Sequence, residues 1–155
     1  MGKLASLVKK KLEAMDINYV YMEELDIVFF QSFEDSVEMN FIVHMVDDVL
    51  IKFKAILPVR LPEHSYMNVV DYMNRYNSTA DIATLFYEQD TRMICAQSFL
   101  MVKKGTLPGL AFETHISSTI SAIDDNTPNI LKIAYSDDDS LMANVLTYKK
   151  PITQC

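Results

Sequence analysis

Cys95 and His115 are the two side chains of this sequence best suited to covalent chemistry, a thiol and a base that would activate it. Cys95, however, falls mid-strand among Met93, Ala96 and Phe99, surroundings that favour a buried, inert thiol. His44 belongs to the polar side of a strand, His64 to a helix start and His115 to the flank of an apolar helical stripe. No two of them share a metal-ligand spacing. Ser98 has no elbow motif around it. Asp137-Asp138-Asp139-Ser140 lacks the alternating ligands, central glycine and closing glutamate of a calcium loop, and reads as a helix N-cap run. Asp124-Asp125-Asn126 is read the same way. Glu13, Glu23, Glu24 and Glu38 are carboxylates with nothing to hold any two together. Phosphate-cradling loops need glycines for close backbone approach, and the only glycines are Gly2, Gly105 and Gly109. The sequence therefore predicts no catalytic residue, no metal ligand and no cofactor.

The elements that would have to position such groups are those of a single domain. A chain of 155 residues buries roughly two-thirds of its unfolded surface, enough for a core without staples. Half the residues are hydrophobic and 23% are charged, a globular balance. The net charge of −7 argues against nucleic acid, whose phosphates call for Lys and Arg, and against an anionic membrane surface. From Glu13 to Asp48 there are many acids and no Lys or Arg, whereas Lys3, Lys9, Lys10 and Lys11 make the N-terminus basic. The two cysteines, Cys95 and Cys155, form no disulfide framework, which favours a reducing compartment. No secretory signal and no apolar run long enough to span a bilayer is present, so a cytoplasmic location is expected.

Leu4, Leu7, Val8, Leu12 and Met15 recur at helical spacing and predict a first helix over residues 3–15. Aromatic and β-branched runs at Tyr19–Tyr21 and Ile27–Phe30 predict strands, with a turn at Phe33–Ser36. Val37, Met39, Phe41, Val43 and Met45 then alternate with Glu38, Asn40, Ile42 and His44, and Asp47-Asp48 turns the chain into a return strand over 49–55. Pro58 stops the sheet and Pro62 suits the start of a helix that Asn77-Ser78 closes in a left-handed cap. A second hairpin runs from Asp81 to Lys103. A third helix opens at Pro108-Gly109 and breaks at Asp124–Asn126, and a further helical segment covers Ile130–Leu146. The prediction is an α+β fold, an antiparallel sheet of about five strands in the order α-β-β-β-α-β-β-α with helices mainly on one face. Residues 1–148 form the domain and 149–155 a tail.

The second hairpin is apolar on both sides. One face is expected to carry Ile82, Phe86, Ile94, Leu100 and Val102, and the other Ala83, Leu85, Tyr87, Met93, Cys95, Phe99 and Met101. One layer of helices shelters one face. The late part of the chain, a second copy or a partner would cover the other. Ten methionines supply mostly core filler, and any exposed ones supply adaptable contact surface.

The run FKAILPVRLPEHSYMNVVDYMNRYNSTADIATLF, Phe53 to Phe86, resembles the YbjN-like domain. It has a strand ending in a Pro-x-x-x-Pro connection (Pro58, Pro62) and a helix closing on a paired asparagine pattern (Asn74, Asn77). The likeness extends loosely over Leu4 to Ile130. It implies a fold like that of type III secretion chaperones, small acidic dimers that bind extended segments of client proteins. The function expected is that of a non-enzymatic protein-binding module, chaperone-like or regulatory, acting as a homodimer on a protein partner or client. The alternative is a small-ligand-binding protein or enzyme with a pocket between helices and sheet.

Overall fold

Leu4, Val8 and Leu12 lie one turn apart and all are buried, which makes Lys3–Ala14 the amphipathic helix α1. It stops in a Schellman arrangement. Asp16 turns left-handed at φ 59°, its N–H reaches the carbonyl of Glu13 and the Ile17 N–H reaches that of Leu12, both at 3.0 Å. The structure is a computed structural model that describes residues 2–34 and 37–136.

Strands β1 (Val20–Met22), β2 (Ile27–Glu34), β3 (Val37–Asp47) and β4 (Leu50–Ile56) follow as consecutive antiparallel neighbours. The predicted alternation of β3 is obeyed: Met39, Phe41, Val43 and Met45 are buried and Glu38, Asn40, Ile42 and His44 are not. The Asp47 carboxylate accepts the Val49 N–H at 2.9 Å and forms the turn, a local bond that Asp makes readily. Helix α2 (Tyr66–Asn77) crosses to the far side before β5 (Thr84–Glu88) and β6 (Met93–Met101) form the second hairpin. The spatial order is β1-β2-β3-β4-β6-β5, so β5 is an edge strand. The sheet has six strands, close to the five or so expected, and the short β1 falls on the run predicted at Tyr19–Tyr21. β2 runs to Glu34, through the first half of the turn expected at Phe33–Ser36, and the rest of that turn lies outside the described residues.

All three helices lie on one face. Helix α3 (Gly109–Ala134) crosses β4, β6 and β5, and α2 lies against β5 and α3. The buried side of α1 joins the same core, and its Lys11 bridges Glu113 of α3 at 2.8 Å. Phe53 meets Phe112 edge-on at 5.4 Å between ring centres, and Phe30 stacks on Phe41 at 4.8 Å.

Helix α3 does not break at Asp124–Asn126, as the sequence reading had it, and Ile130 begins no separate helix. Pro128 lacks an N–H and would normally break the helix. Here side chains reinforce the preceding turn. The Asn126 amide donates to the Ala122 carbonyl and the Thr127 hydroxyl to that of Ile123, each at 2.7 Å. The Tyr72 hydroxyl of α2 donates to Asn126 Oδ1 at 2.7 Å, and buried Ile130 and Ile133 prolong the apolar stripe past the proline. The remainder of the expected late helix, from Asp137 to Leu146, and the tail from Lys149 lie outside the described residues.

Candidate functional site

The register of the sheet sorts its side chains into two faces. Under the helices lie Phe41, Phe53, Ala96 and their row partners, all buried except the half-buried Tyr21 on β1. The opposite face carries no described helix. One row across it reads Val20, Phe29, Ile42, Lys54, Gln97 and Thr84, and the next Met22, Ile27, His44, Lys52 and Phe99. Apolar groups stand out into solvent here: Phe99 is 50% exposed, Met101 76% and Val20 61%.

Two cations occupy the middle of this face, in a chain whose net charge is −7. Lys54 lies over the Phe86 ring at 5.5 Å and bonds Glu88 at 2.9 Å; that hydrogen bond holds the Glu88 carboxyl below its usual range. Lys52 lies over the Phe99 ring at 5.8 Å, and no described carboxylate pairs with it.

The two edges of the sheet differ. β1 has three residues and pairs only with Ile27–Phe29 of β2, so Phe30–Glu34 of β2 forms an open edge. On β5 the backbone of Leu85 is already engaged: its N–H donates to Asn77 Oδ1 and its carbonyl accepts from Asn77 Nδ2, both at 2.8 Å. The amide thus makes the pair of bonds that an added strand would make.

The five residues expected to form an interaction surface do not share a face. Ile94 is fully buried and Val102 is 8% exposed, both in the core, and Leu100 packs against that core from β6. Phe86 is opposite Cys95, so it belongs to the uncovered face, and Ile82 precedes β5. The sequence reading had the alternation within each strand but joined the two strands one residue out of step. A slip of one residue exchanges the faces. Phe86 therefore goes with Met93, Cys95, Phe99 and Met101, and Leu85 and Tyr87 with Ile94 and Leu100. Lys52, Phe29 and Ile42 were absent from the sequence-based set; the signal for Lys52 and Ile42 was the polar half of the β3–β4 alternation, which reads as plain solvent face, and that for Phe29 was its place in the Ile27–Phe30 run of β2.

Of the residues carrying the family resemblance, Pro58 is exposed just beyond β4, and the connection it begins is tied to the β5–β6 turn through Leu61 N–H to the Arg92 carbonyl at 2.9 Å. Pro62 opens a single 3₁₀ turn, its carbonyl accepting the Ser65 hydroxyl at 2.7 Å. Asn74 is exposed, and its carbonyl accepts the Ser78 N–H at 3.1 Å. Asn77 is not the left-handed cap expected. The helix ends right-handed at Ser78, and the Asn77 side chain holds Leu85 instead.

Cys95 and His115 are on opposite sides of the sheet. Burial pushes the Cys95 thiol up to about 11, so the thiolate that chemistry needs is scarce. His115 stacks on Phe53 at 5.3 Å, and its Nδ1 lies 3.0 Å from the Ser98 hydroxyl, itself 2.9 Å from the Thr119 hydroxyl. Thr119 closes the chain of bonds by donating to the His115 carbonyl at 2.6 Å. Ser98 is 2% exposed, so no substrate reaches it, and the network joins α3 to β6. A groove of about 1070 Å³ opens between the end of α1, β2 and α3. Its polar lining is Ser, Thr, Asn, Gln and acids, with no His or Cys. Among the described residues no three His, Cys, Asp or Glu are grouped to hold a metal ion, and no helix is long and apolar enough to cross a membrane.

No family model and no curated protein matches this chain. Among solved structures it is similar to the crystal structure of YbjN from E. coli, with a TM-score of 0.56 and 13% identity over 79% of this chain and 92% of that one. The chain has a YbjN-like fold.

Proposed function

We propose that this chain is a non-enzymatic protein-binding module that docks a partner protein on the uncovered face of its sheet. The observation that carries the reading is that face itself: three helices share the opposite side, while Phe99 and Met101 stand 50% and 76% exposed on this one. A contiguous exposed apolar patch rimmed by polar groups marks a protein contact. YbjN, the structural neighbour, is provisionally assigned to transcription regulation. With a net charge of −7, a regulatory role of this chain runs through protein contact rather than nucleic acid. The likeness to type III secretion chaperones drawn from the sequence fits the same mode, binding without catalysis. The expected homodimer is the alternative occupant of the face.

The test is affinity capture from the source cells with three forms of the chain. Wild type and a helix-side control, Met67→Asp with Leu110→Asp, should retain a common partner. Phe99→Asp with Met101→Asp should lose it. A partner kept by that second pair, or none kept by wild type, would overturn the reading. Light scattering on the same proteins reports the dimer.

A further inference from the structure

We infer that the open edge of β2, Phe30–Glu34, takes an added strand from another protein, an extended segment that is apolar at alternate positions and flanked by Lys or Arg. This is a second surface, apart from the uncovered face.

The backbone of the edge sets the mode of binding. The Met45 N–H donates to the Asp26 carbonyl at 3.0 Å, so the backbone of Asp26 faces β3. The β2–β3 register runs without a shift from Ile27 to Glu34, and bonding direction alternates along an antiparallel strand. Val28, Phe30, Ser32 and Glu34 therefore bond toward β3, and Ile27, Phe29, Gln31 and Phe33 face the other way. β1 pairs with Ile27–Phe29 and goes no further. The N–H and carbonyl groups of Gln31 and Phe33 point outward, with no backbone partner among the described residues. A helix has its backbone groups closed on one another and cannot meet such a row, whereas a strand meets it directly.

What lies beside the edge sets the chemistry of the segment. The groove between the end of α1, β2 and α3 is lined by Phe30, Gln31 and Ser32 of this same edge, so groove and edge are continuous. Side chains of an added strand alternate between the two sides of the sheet. Phe30 is buried on the helix side, and residues laid beside it and Ser32 enter the groove, where the partly buried Ile17 and Ile120 form apolar lining. The charged residues lining the groove are all acids, Asp16, Glu113 and Asp124, of which Glu113 is paired with Lys11 at 2.8 Å. No Lys or Arg occurs from Glu13 to Asp48, the stretch that contains the whole edge. A basic segment complements this region. A second copy does not, because two such edges laid side by side bring two acidic stretches together.

The experiment uses the full chain, labelled with ¹⁵N, and three short peptides with Val and Leu at alternate positions. One is flanked by Lys and one by Glu; the third is the Lys peptide N-methylated at every central residue, which removes its backbone donors. In the free chain the Gln31 and Phe33 amides should exchange rapidly. The Lys peptide should protect both and bind about tenfold more tightly than either of the others. Gln31→Pro removes an outward N–H, which an edge strand tolerates, and should abolish binding while the chain still unfolds cooperatively. Slow exchange of the two amides in the free chain would mean that a second copy or the chain itself already occupies the edge, and would overturn the proposal. Equal binding of the Lys and Glu peptides overturns the basic chemistry, and equal binding of the N-methylated peptide overturns strand addition. Failure of the Lys peptide to protect these amides overturns both, whether or not Gln31→Pro folds.

Discussion

The side chain of Asn77 forms two hydrogen bonds of 2.8 Å with one residue, Leu85, one to its N–H and one to its carbonyl. It ties the end of α2 to edge strand β5. Asn77→Ala should cost about 1–3 kcal/mol, the worth of two part-buried hydrogen bonds. Asn77→Asp should cost at least as much, because a carboxylate cannot donate and would face the Leu85 carbonyl. Urea unfolding measures both, and the Leu85 amide should exchange faster in each variant. Unchanged stability in both would show that the clamp contributes nothing.

Arg92 closes the β5–β6 turn at φ +58°, a left-handed conformation that costs a residue with a Cβ about 1–2 kcal/mol. Its ion pair with Glu63 is long, 3.9 Å, and exposed, so little is lost with the side chain. Arg92→Gly should raise stability by about 1 kcal/mol, and Arg92→Ala, equally strained, should not. Thermal unfolding of the two variants side by side checks the difference.

Burial lowers the pKa of His115 in the folded chain, while unfolded histidine titrates near its ordinary value of about 6.5. Above that pH both states are neutral and the folded state keeps its full stability. As pH falls below it the unfolded chain takes up the proton first, so stability drops toward the folded pKa. Between pH 7 and 5 the wild type should lose more stability than His115→Gln. Parallel curves for the two proteins would rule the histidine out as the cause.

Cys95 is fully buried, and its thiol is pushed up to about 11 by that burial. In a Cys155→Ser background, a thiol reagent should label Cys95 only as fast as the chain opens. Added urea should accelerate labelling in step with unfolding. Rapid stoichiometric labelling of the native protein would contradict this burial.

Much of the fold was legible because local periodicity reports burial directly. Leu4, Val8 and Leu12 mark one helix face, and the Val37–Met45 alternation marks one sheet face, whatever lies opposite. Asp47-Asp48 makes its turn with its own side chain. Helix α3 was misread past Asp124 because Pro128 and the Ser/Thr content lower local propensity, whereas the bonds from Asn126, Thr127 and Tyr72 that carry the helix through come partly from another element.

The candidate site was half legible for the same reason. That the second hairpin is apolar on both sides is a property of its residue order and was determined by the sequence alone, as were the acidic balance and the lack of catalytic spacing. Only the tertiary structure decided that Phe86 stands opposite Cys95, that Lys52 lies across from His44 and over Phe99, and that all three helices gather on the other side. Strand pairing is a contact between residues far apart in the chain, and a one-residue shift in it exchanges the faces without altering any local pattern.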